Sequence, residues 1–188
     1  MLHTNTIRLA ALHAKFPACN NFARYWYNDP MSNENSAVSP VTIRPATKAD
    51  AAAIAHVHMT SRQQTMPYLP PQKRNHEQVT QWVADVLLEH GLLWVAERDG
   101  EILGYACLEG DVLEHLYLLP DSRRQGIGTR LLDEVKRHSP SGVTLHVFQQ
   151  NTGARAFYEH HGFIVTETTD GHRNMEHLPD VTMRWTPA

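Results

Sequence analysis

The strongest constraint on the fold is a strand-helix-strand unit in the second half of the chain. Leu113 to Leu119 is a nearly all-apolar run, as expected of a strand that is covered on both faces. A helical stripe of apolar residues follows between Ile127 and Val135, and Val143 to Phe148 is a second apolar strand. A strand that returns through a helix lies parallel to the first, so this unit predicts a parallel pair.

The remaining patterns predict helices and strands before and after this unit. Five more strands are expected at 41–44, 92–97, 102–108, 163–168 and 181–185, and three more helices at 51–58, 79–87 and 154–161. The predicted order is β-α-α-β-β-β-α-β-α-β-β. The fold class is therefore α/β, with a central mixed, partly parallel β-sheet and helices on its faces.

Local signals mark several ends of these elements. Thr47 and Asp50 resemble a capping box at the start of the first helix. Asp99-Gly100 is a hairpin signal and predicts an antiparallel section of the sheet. Gly91 and Gly162 are expected to cap the ends of the second and last helices.

The first 40 residues differ from the rest of the chain. No acidic residue precedes Asp29, and a polar linker ends at Pro40. The opening lacks the continuous apolar region of a secretory signal. We interpret residues 1–40 as an N-terminal extension and linker, either an accessory segment or sequence upstream of a natural start at Met31. Residues 41–188 are expected to form one domain.

The composition excludes several classes of protein. A net charge of -3 argues against a general binder of nucleic acids or membrane surfaces. No window approaches the roughly 18 consecutive apolar residues of a membrane span. Two cysteines fit a reducing compartment, so we expect a cytoplasmic protein, and Cys107 is expected to be a buried structural thiol. The 13 histidines show no zinc spacing, and no metal is expected.

A glycine-containing loop joins the Leu113 to Leu119 strand to the next helix. Gly126 and Gly128 permit close approach of the backbone to a ligand. Successive N–H groups at a helix start form a concave anion site, which the helix dipole strengthens. Arg123, Arg124 and Arg130 add positive charge nearby. The loop therefore predicts a ligand with a phosphate or pyrophosphate group.

The loop alone leaves the kind of ligand open. A Walker loop needs Gly-Lys-Ser/Thr, whereas Thr129 and Arg130 follow Gly128. A dinucleotide-binding loop needs a third small residue where this chain has Leu131. On this evidence a tight turn with a basic flank remains an equal alternative.

A second motif downstream changes this balance. The loop pattern is Arg123-x-x-Gly126-x-Gly128, and the later run is Asn151-x-x-Ala154-x-x-Phe157-Tyr158-Glu159-x-x-Gly162-Phe163. Together, in this order, they resemble the two signatures of the GNAT-type N-acetyltransferase superfamily. The resemblance covers roughly residues 41–185. It implies acetyl-CoA as the acyl donor and a sheet that splays between its fourth and fifth strands.

The resemblance also implies where coenzyme A binds. The backbone of the fourth strand would line the pantetheine arm, the loop amides would bind the pyrophosphate, and Asn151 would bond the pantetheine. The N–H of Leu118 would polarise the thioester carbonyl and steady the oxyanion. The residues assigned in this way are Leu116, Tyr117, Leu118, Arg123, Arg124, Gln125, Gly126, Ile127, Gly128, Thr129 and Asn151.

Glu114 is the candidate general base. An alkylammonium has no lone pair, so some group must take a proton from the amine acceptor. Glu114 interrupts an apolar strand, where an ionisable side chain is costly without a role, and we expect it to be buried. By alternation it shares the face of Leu116 and Leu118, whereas His115 points to the other face. A structural carboxylate paired with an arginine is the alternative.

Tyr158 is the candidate general acid, which would protonate the departing CoA thiolate. This role is implied by the superfamily pattern, since its spacing alone predicts only an aromatic residue on a helix face. The resemblance therefore predicts acetyl transfer to a primary amine by direct attack within a ternary complex. The catalytic residues would be Glu114, Tyr158 and Leu118.

The sequence leaves the acceptor open. The segments 62–74 and 169–179 are expected to lie over the sheet and choose it. Two other functions stay open: a non-catalytic acyl-CoA sensor, and a toxin that acetylates charged tRNA, although the net charge disfavours a nucleic-acid partner. The protein is expected to be a monomer or homodimer.

Overall fold

The computed structural model describes residues 39–187. The expectations for the first 38 residues lie outside this range. This range contains seven strands and five α-helices. They follow the predicted order of seven strands and four helices when α2 and α3 are counted with the π-helical turn between them (Val83–Leu87) as one helix. The elements are β1 (Thr42–Pro45), α1 (Ala51–Thr65), α2 (His76–Trp82), α3 (Leu88–His90), β2 (Leu92–Arg98), β3 (Glu101–Glu109), β4 (Val112–Leu118), α4 (Ile127–Arg137), β5 (Val143–Phe148), α5 (Thr152–His160), β6 (Ile164–Thr169) and β7 (Asp180–Trp185).

All seven strands form one mixed sheet in the order β1-β2-β3-β4-β5-β7-β6. Neighbouring strands are antiparallel except β4 and β5, which are parallel. This pair is joined only at Val112↔Thr144 and Leu113↔Leu145. Beyond Leu113 the two strands separate. The predicted mixed sheet and its splay between the fourth and fifth strands are confirmed.

Helices cover both faces of the sheet, as predicted. On one face the apolar side of α4 and part of α5 pack onto the sheet around Leu131 and Met183. On the other face α1 and α2 pack onto it around Ile54 and Tyr105. All four of these residues are fully buried. The splay between β4 and β5 is therefore enclosed by two separate apolar clusters.

The local signals in the sequence correspond to observed turns and caps. Asp50 accepts from the N–H of Thr47 at 2.7 Å in the expected capping box, and it also binds Arg44 through two hydrogen bonds. Asp99 and Gly100 both have positive φ (53° and 81°), as a tight hairpin of the predicted kind requires. Gly162 has φ 84° directly after α5.

Gly91 fulfils a different need from the one predicted. Its φ of -122° is extended, so no left-handed cap is formed. A Cβ at this position would lie 2.7 Å from Sγ of Cys107. Gly91 is therefore required for close packing against β3. Cys107 itself is a buried free thiol, as predicted, and burial raises its pKa to about 12.

Gly104 allows β3 and β4 to approach where the site is built. A Cβ on Gly104 would lie 2.8 Å from the carbonyl oxygen of Tyr117 and would overlap the side chain of Leu118.

Within residues 39–187, no helix has the length and apolar character needed to cross a membrane.

Gly104→Ala is expected to destabilise the fold by about 1–3 kcal/mol, because the backbone of β4 must move away. Gly153→Ala is the matched control. Gly153 lies in α5 with open space around its Cβ position, so alanine should be neutral or stabilise by up to about 1 kcal/mol. Urea unfolding of both variants measures the difference, and equal effects would contradict the role given to Gly104.

Candidate active site

The separation of β4 and β5 leaves backbone groups of β4 without a strand partner. The N–H of Leu119 donates to the carbonyl of Leu103 on β3 at 2.8 Å. In an antiparallel ladder the direction of these groups alternates, so Leu116 and Leu118 turn their N–H and C=O groups away from β3 and towards the gap. An extended ligand arm fits these free groups. The backbone of Tyr117 faces β3 instead, which differs from the prediction for that residue.

The glycine loop forms a cluster of free N–H groups. Within the described part of the chain, none of the six backbone N–H groups from Arg124 to Thr129 donates a hydrogen bond, and the series resumes at Arg130. Arg124 and Gly126 have positive φ (63° and 77°), so this stretch combines left-handed residues with a helix start. Such a concave row of donors at the N-terminus of the eleven-residue α4 suits a phosphate or pyrophosphate.

Side-chain contacts hold this loop in place. Nε2 of Gln125 donates to the carbonyl of Asp121 at 2.8 Å, and Arg98 donates to Oε1 of Gln125 at 3.0 Å. The side chain of Ile127 is buried in the core, so only its N–H is available to a ligand. A Cβ on Gly128 would touch Phe157 at 3.5 Å, which shows how closely α4 and α5 approach.

Arg130 has a different role from the one expected. Its Nη1 donates to the carbonyl of Val41 at 2.6 Å, so the guanidinium is directed to the start of β1. Arg123 and Arg124 remain exposed on the loop. The positive charge expected at the anion site therefore comes from these two residues.

Asn151 and Thr129 both have local partners. Oδ1 of Asn151 accepts from the N–H of Ala154 at 3.2 Å and caps α5, which leaves its NH₂ group to donate to a ligand. Nδ1 of His161 donates to the carbonyl of Phe157 at 2.7 Å. With the proton on Nδ1, Nε2 accepts from the Thr129 hydroxyl at 3.1 Å. The hydroxyl of Thr129 thereby links α4 to the end of α5.

Tyr158 lies in the cluster that also contains Leu116 and Leu118. Its side chain is buried, with 8% of its surface exposed. Burial raises the pKa of the phenol above its ordinary value, and the nearby Tyr117 hydroxyl adds to this. The group therefore keeps its proton at neutral pH, as a general acid must.

Glu114 occupies a β-bulge. Cys107 pairs with His115 and Leu108 pairs with Leu113, so Glu114 is an extra residue on β4 without a partner on β3. It follows Leu113, the last residue that pairs with β5. Its side chain is exposed, so the expectation of burial is wrong. The bulge also breaks the simple alternation from which its face was inferred. Its role as the base stays a prediction.

Comparison with known proteins agrees with this geometry. Residues 56–163 match the model of the acetyltransferase (GNAT) family, which is more than half of the chain. The chain belongs to the GNAT acetyltransferase family. It is an N-acetyltransferase, and its acyl donor is acetyl-CoA.

Three individual proteins illustrate the relationship. Peptidyl-lysine N-acetyltransferase YiaC of Escherichia coli K12 is 30% identical over 145 residues, which are 76% of this chain and 95% of YiaC. Peptidyl-lysine N-acetyltransferase YjaB of Salmonella typhimurium LT2 is 42% identical over 85 residues, 45% of this chain and 57% of YjaB. The PaiA N-acetyltransferase of Thermoplasma acidophilum, solved in complex with coenzyme A, shares the fold with a TM-score of 0.60 at 24% identity over 79% of this chain and 99% of that one.

The face of β4 that is turned to α1 carries a cluster of aromatic and histidine side chains in this GNAT protein. His58 and Tyr105 are joined by a 2.8 Å hydrogen bond, and the rings of His115 and Tyr117 pack beside them. Burial lowers the pKa of His58 to about 3 and that of His115 to about 4, so both are neutral at neutral pH. The predicted packing role of His115 agrees with this position. Sequence reasoning missed the cluster, although His58 follows the buried Ile54 by one helical turn.

The two segments that were expected to choose the acceptor come together. Nη2 of Arg62 donates to Oε1 of Glu176 at 2.8 Å, which joins α1 to the 169–179 segment. Nη1 of Arg62 lies 3.5 Å from the hydroxyl of Tyr117 on β4. Tyr68 packs edge-to-face on Phe148, at the end of β5, with a ring separation of 6.1 Å. Both segments therefore lie at the splay.

In residues 39–187 no group of three or more His, Cys, Asp or Glu is placed to hold a metal.

The anion site is tested by its arginines. Replacing Arg123 and Arg124 together by alanine is expected to weaken acetyl-CoA binding at least about tenfold, because a charged hydrogen bond contributes roughly 1.5–3 kcal/mol. Arg130→Ala should leave the affinity unchanged, since Arg130 binds Val41. Calorimetric titration measures both. Weakening by Arg130→Ala alone would reverse this assignment.

The role of Glu114 is tested by the pH dependence of the rate. A carboxylate base must be ionised, so the parent rate should fall on the acidic side, and Glu114→Gln should lower kcat and flatten that limb. Glu109→Gln, an exposed position at the end of β3, is the matched control and should keep the parent profile. Identical acidic limbs in the parent and in Glu114→Gln would place the base elsewhere.

Proposed function

We propose that this enzyme transfers the acetyl group of acetyl-CoA to the lysine side chain of a peptide or protein, by direct attack within a ternary complex. One observation carries the proposal: the open backbone of Leu116 and Leu118 lies between the free amides of the glycine loop and the joined acceptor segments. Both substrates can therefore reach the same gap together. The names of YiaC and YjaB favour lysine as the acceptor.

The chain's own groups would hold the donor along the splay. The amides from Arg124 to Thr129 would bind the pyrophosphate, and the NH₂ group of Asn151 would donate to the pantetheine arm. Acetyl-CoA supplies the thioester. The N–H of Leu118 faces the gap, where it would donate to the thioester oxygen and stabilise the negative charge that develops on it during attack.

Two side chains would move the protons. Glu114 would take a proton from the acceptor ammonium, through water because its side chain is exposed at the bulge. Tyr158 would give its proton to the departing thiolate sulfur. The nitrogen loses its second proton through water to solvent as the tetrahedral intermediate collapses to the amide. The amide product and the free thiol are then neutral, and the two side chains exchange protons with solvent before the next cycle.

We further propose that residues 41–188 are the catalytic domain and residues 1–40 an extension. The proposal also places the enzyme in the cytoplasm, as a monomer or homodimer. The family match to residues 56–163 supports the placement of the domain.

A panel of amines tests the proposed function. Purified enzyme with acetyl-CoA is incubated with a lysine-containing peptide blocked at its N-terminus, a peptide with only a free N-terminus, spermidine and free lysine. Release of CoA and the mass of the product are followed. Acetylation of the blocked lysine peptide is expected. If CoA and acetyl-CoA bind but no amine is acetylated, the chain acts as a sensor and the proposal fails.

Tyr158→Phe is expected to lower kcat roughly 10²–10⁴-fold with little change in acetyl-CoA affinity, because only the proton donor is removed. Tyr68→Phe is the control. Tyr68 is a half-buried residue whose hydroxyl has no partner among the described residues, and its loss should change at most the KM for the amine. A Tyr158→Phe enzyme with the parent kcat would end the assignment of Tyr158 as the acid.

A further inference from the structure

A cavity of about 490 Å³ lies between the end of α1 and the loop that follows it. Six of the nine residues that line it are apolar, namely Met59, Met66, Leu69 and three prolines between positions 67 and 71. Most of these loop residues are exposed or half-buried, so the cavity is accessible from solvent. An apolar group of a ligand would gain by leaving water here.

Arg62 connects this cavity to the reaction centre. Arg62 lines the cavity, and its Nη1 lies 3.5 Å from the hydroxyl of Tyr117. Tyr117 stands on β4 between Leu116 and Leu118, the residues whose backbone faces the gap. The amine of the acceptor would then enter the gap, while the groups that flank this amine would reach the cavity.

The charges around the cavity disfavour a positively charged ligand group in addition to Arg62. Its polar lining consists of Arg62 and two neutral amides, Gln63 and Gln72, and it includes no carboxylate. The nearby carboxylate of Glu176 is already bound to Arg62, and both side chains are mostly buried. His58 and His115, which lie near Arg62, are neutral at neutral pH. A second cation would lose hydration here without gaining an ionic partner.

We propose that this cavity is the subsite for the residues that flank the acceptor lysine, and that it selects apolar, uncharged flanks over charged ones. The inference rests on the proposed lysine acetyltransferase function and adds the class of peptide to it. Polyamines and peptides rich in basic residues are then poor acceptors, because the cavity offers their additional charges no partner.

Three matched peptides test the selectivity. Each carries one lysine and blocked ends, and the residues on both sides of the lysine are leucine, glutamate or arginine. We expect kcat/KM for the leucine peptide to exceed each of the others by about tenfold, since a buried apolar side chain favours binding by that order. Equal values, or a preference for either charged peptide, would overturn the inference while the proposed function stands. If none is acetylated, the proposed function fails as well.

A charge placed in the cavity tests its location. Gln63→Glu puts a carboxylate of almost the same shape on an exposed lining position. It should raise kcat/KM for the arginine peptide about fivefold. Gln64→Glu, also exposed on α1 but outside the lining, should leave all three peptides unchanged. The same response in both variants, or none in Gln63→Glu, would show that the flanking residues bind elsewhere.

Discussion

The site depends on the early end of pairing between β4 and β5. Two residue pairs hold these strands together, and beyond Leu113 the centre of the sheet lacks the hydrogen bonds that a continuous ladder would supply. Unpaired backbone groups in a protein interior are costly unless another partner satisfies them. The surrounding fold maintains this opening because β4 remains paired to β3 along its length and β5 remains paired to β7. The splay thus presents a row of free main-chain groups in the centre of the sheet.

Packing on the two faces of the sheet then places the candidate donor groups and the candidate acceptor groups on different sides of the gap. The cluster around α4 and α5 places the glycine loop, Asn151 and Tyr158 at one side of the gap. The cluster around α1 and α2 places Tyr117 and Arg62 at the other. Gly104 permits β3 to approach β4 closely at this level, so the backbone of Leu118 is held by the sheet and its N–H is fixed relative to both sides. Preorganised donors of this kind are the ones that stabilise charge in a transition state.

The order of elements and most turns were predictable from the sequence, because periodicity and turn chemistry are local properties. The splay followed only from the resemblance to a family, since no pattern within β4 or β5 indicates where two strands part. The bulge at Glu114 was missed because an added residue is invisible to an assumed alternation. The direction of Arg130 and the pairing of Arg62 with Glu176 could not be predicted either, since their partners lie 89 and 114 residues away.

The environments of the two candidate proton-transfer groups are opposite, and this difference suits their roles. Tyr158 is largely enclosed by apolar side chains, and burial raises the pKa of its phenol, as the proposed role of general acid requires. Glu114 stands exposed at the bulge, where water solvates a carboxylate and also carries protons away. In the proposed mechanism, a buried acid and an exposed base would keep the two proton transfers apart. The two positions have different origins, because β4 leaves its partner directly before the bulge that carries Glu114, whereas α5 packs Tyr158 into the core.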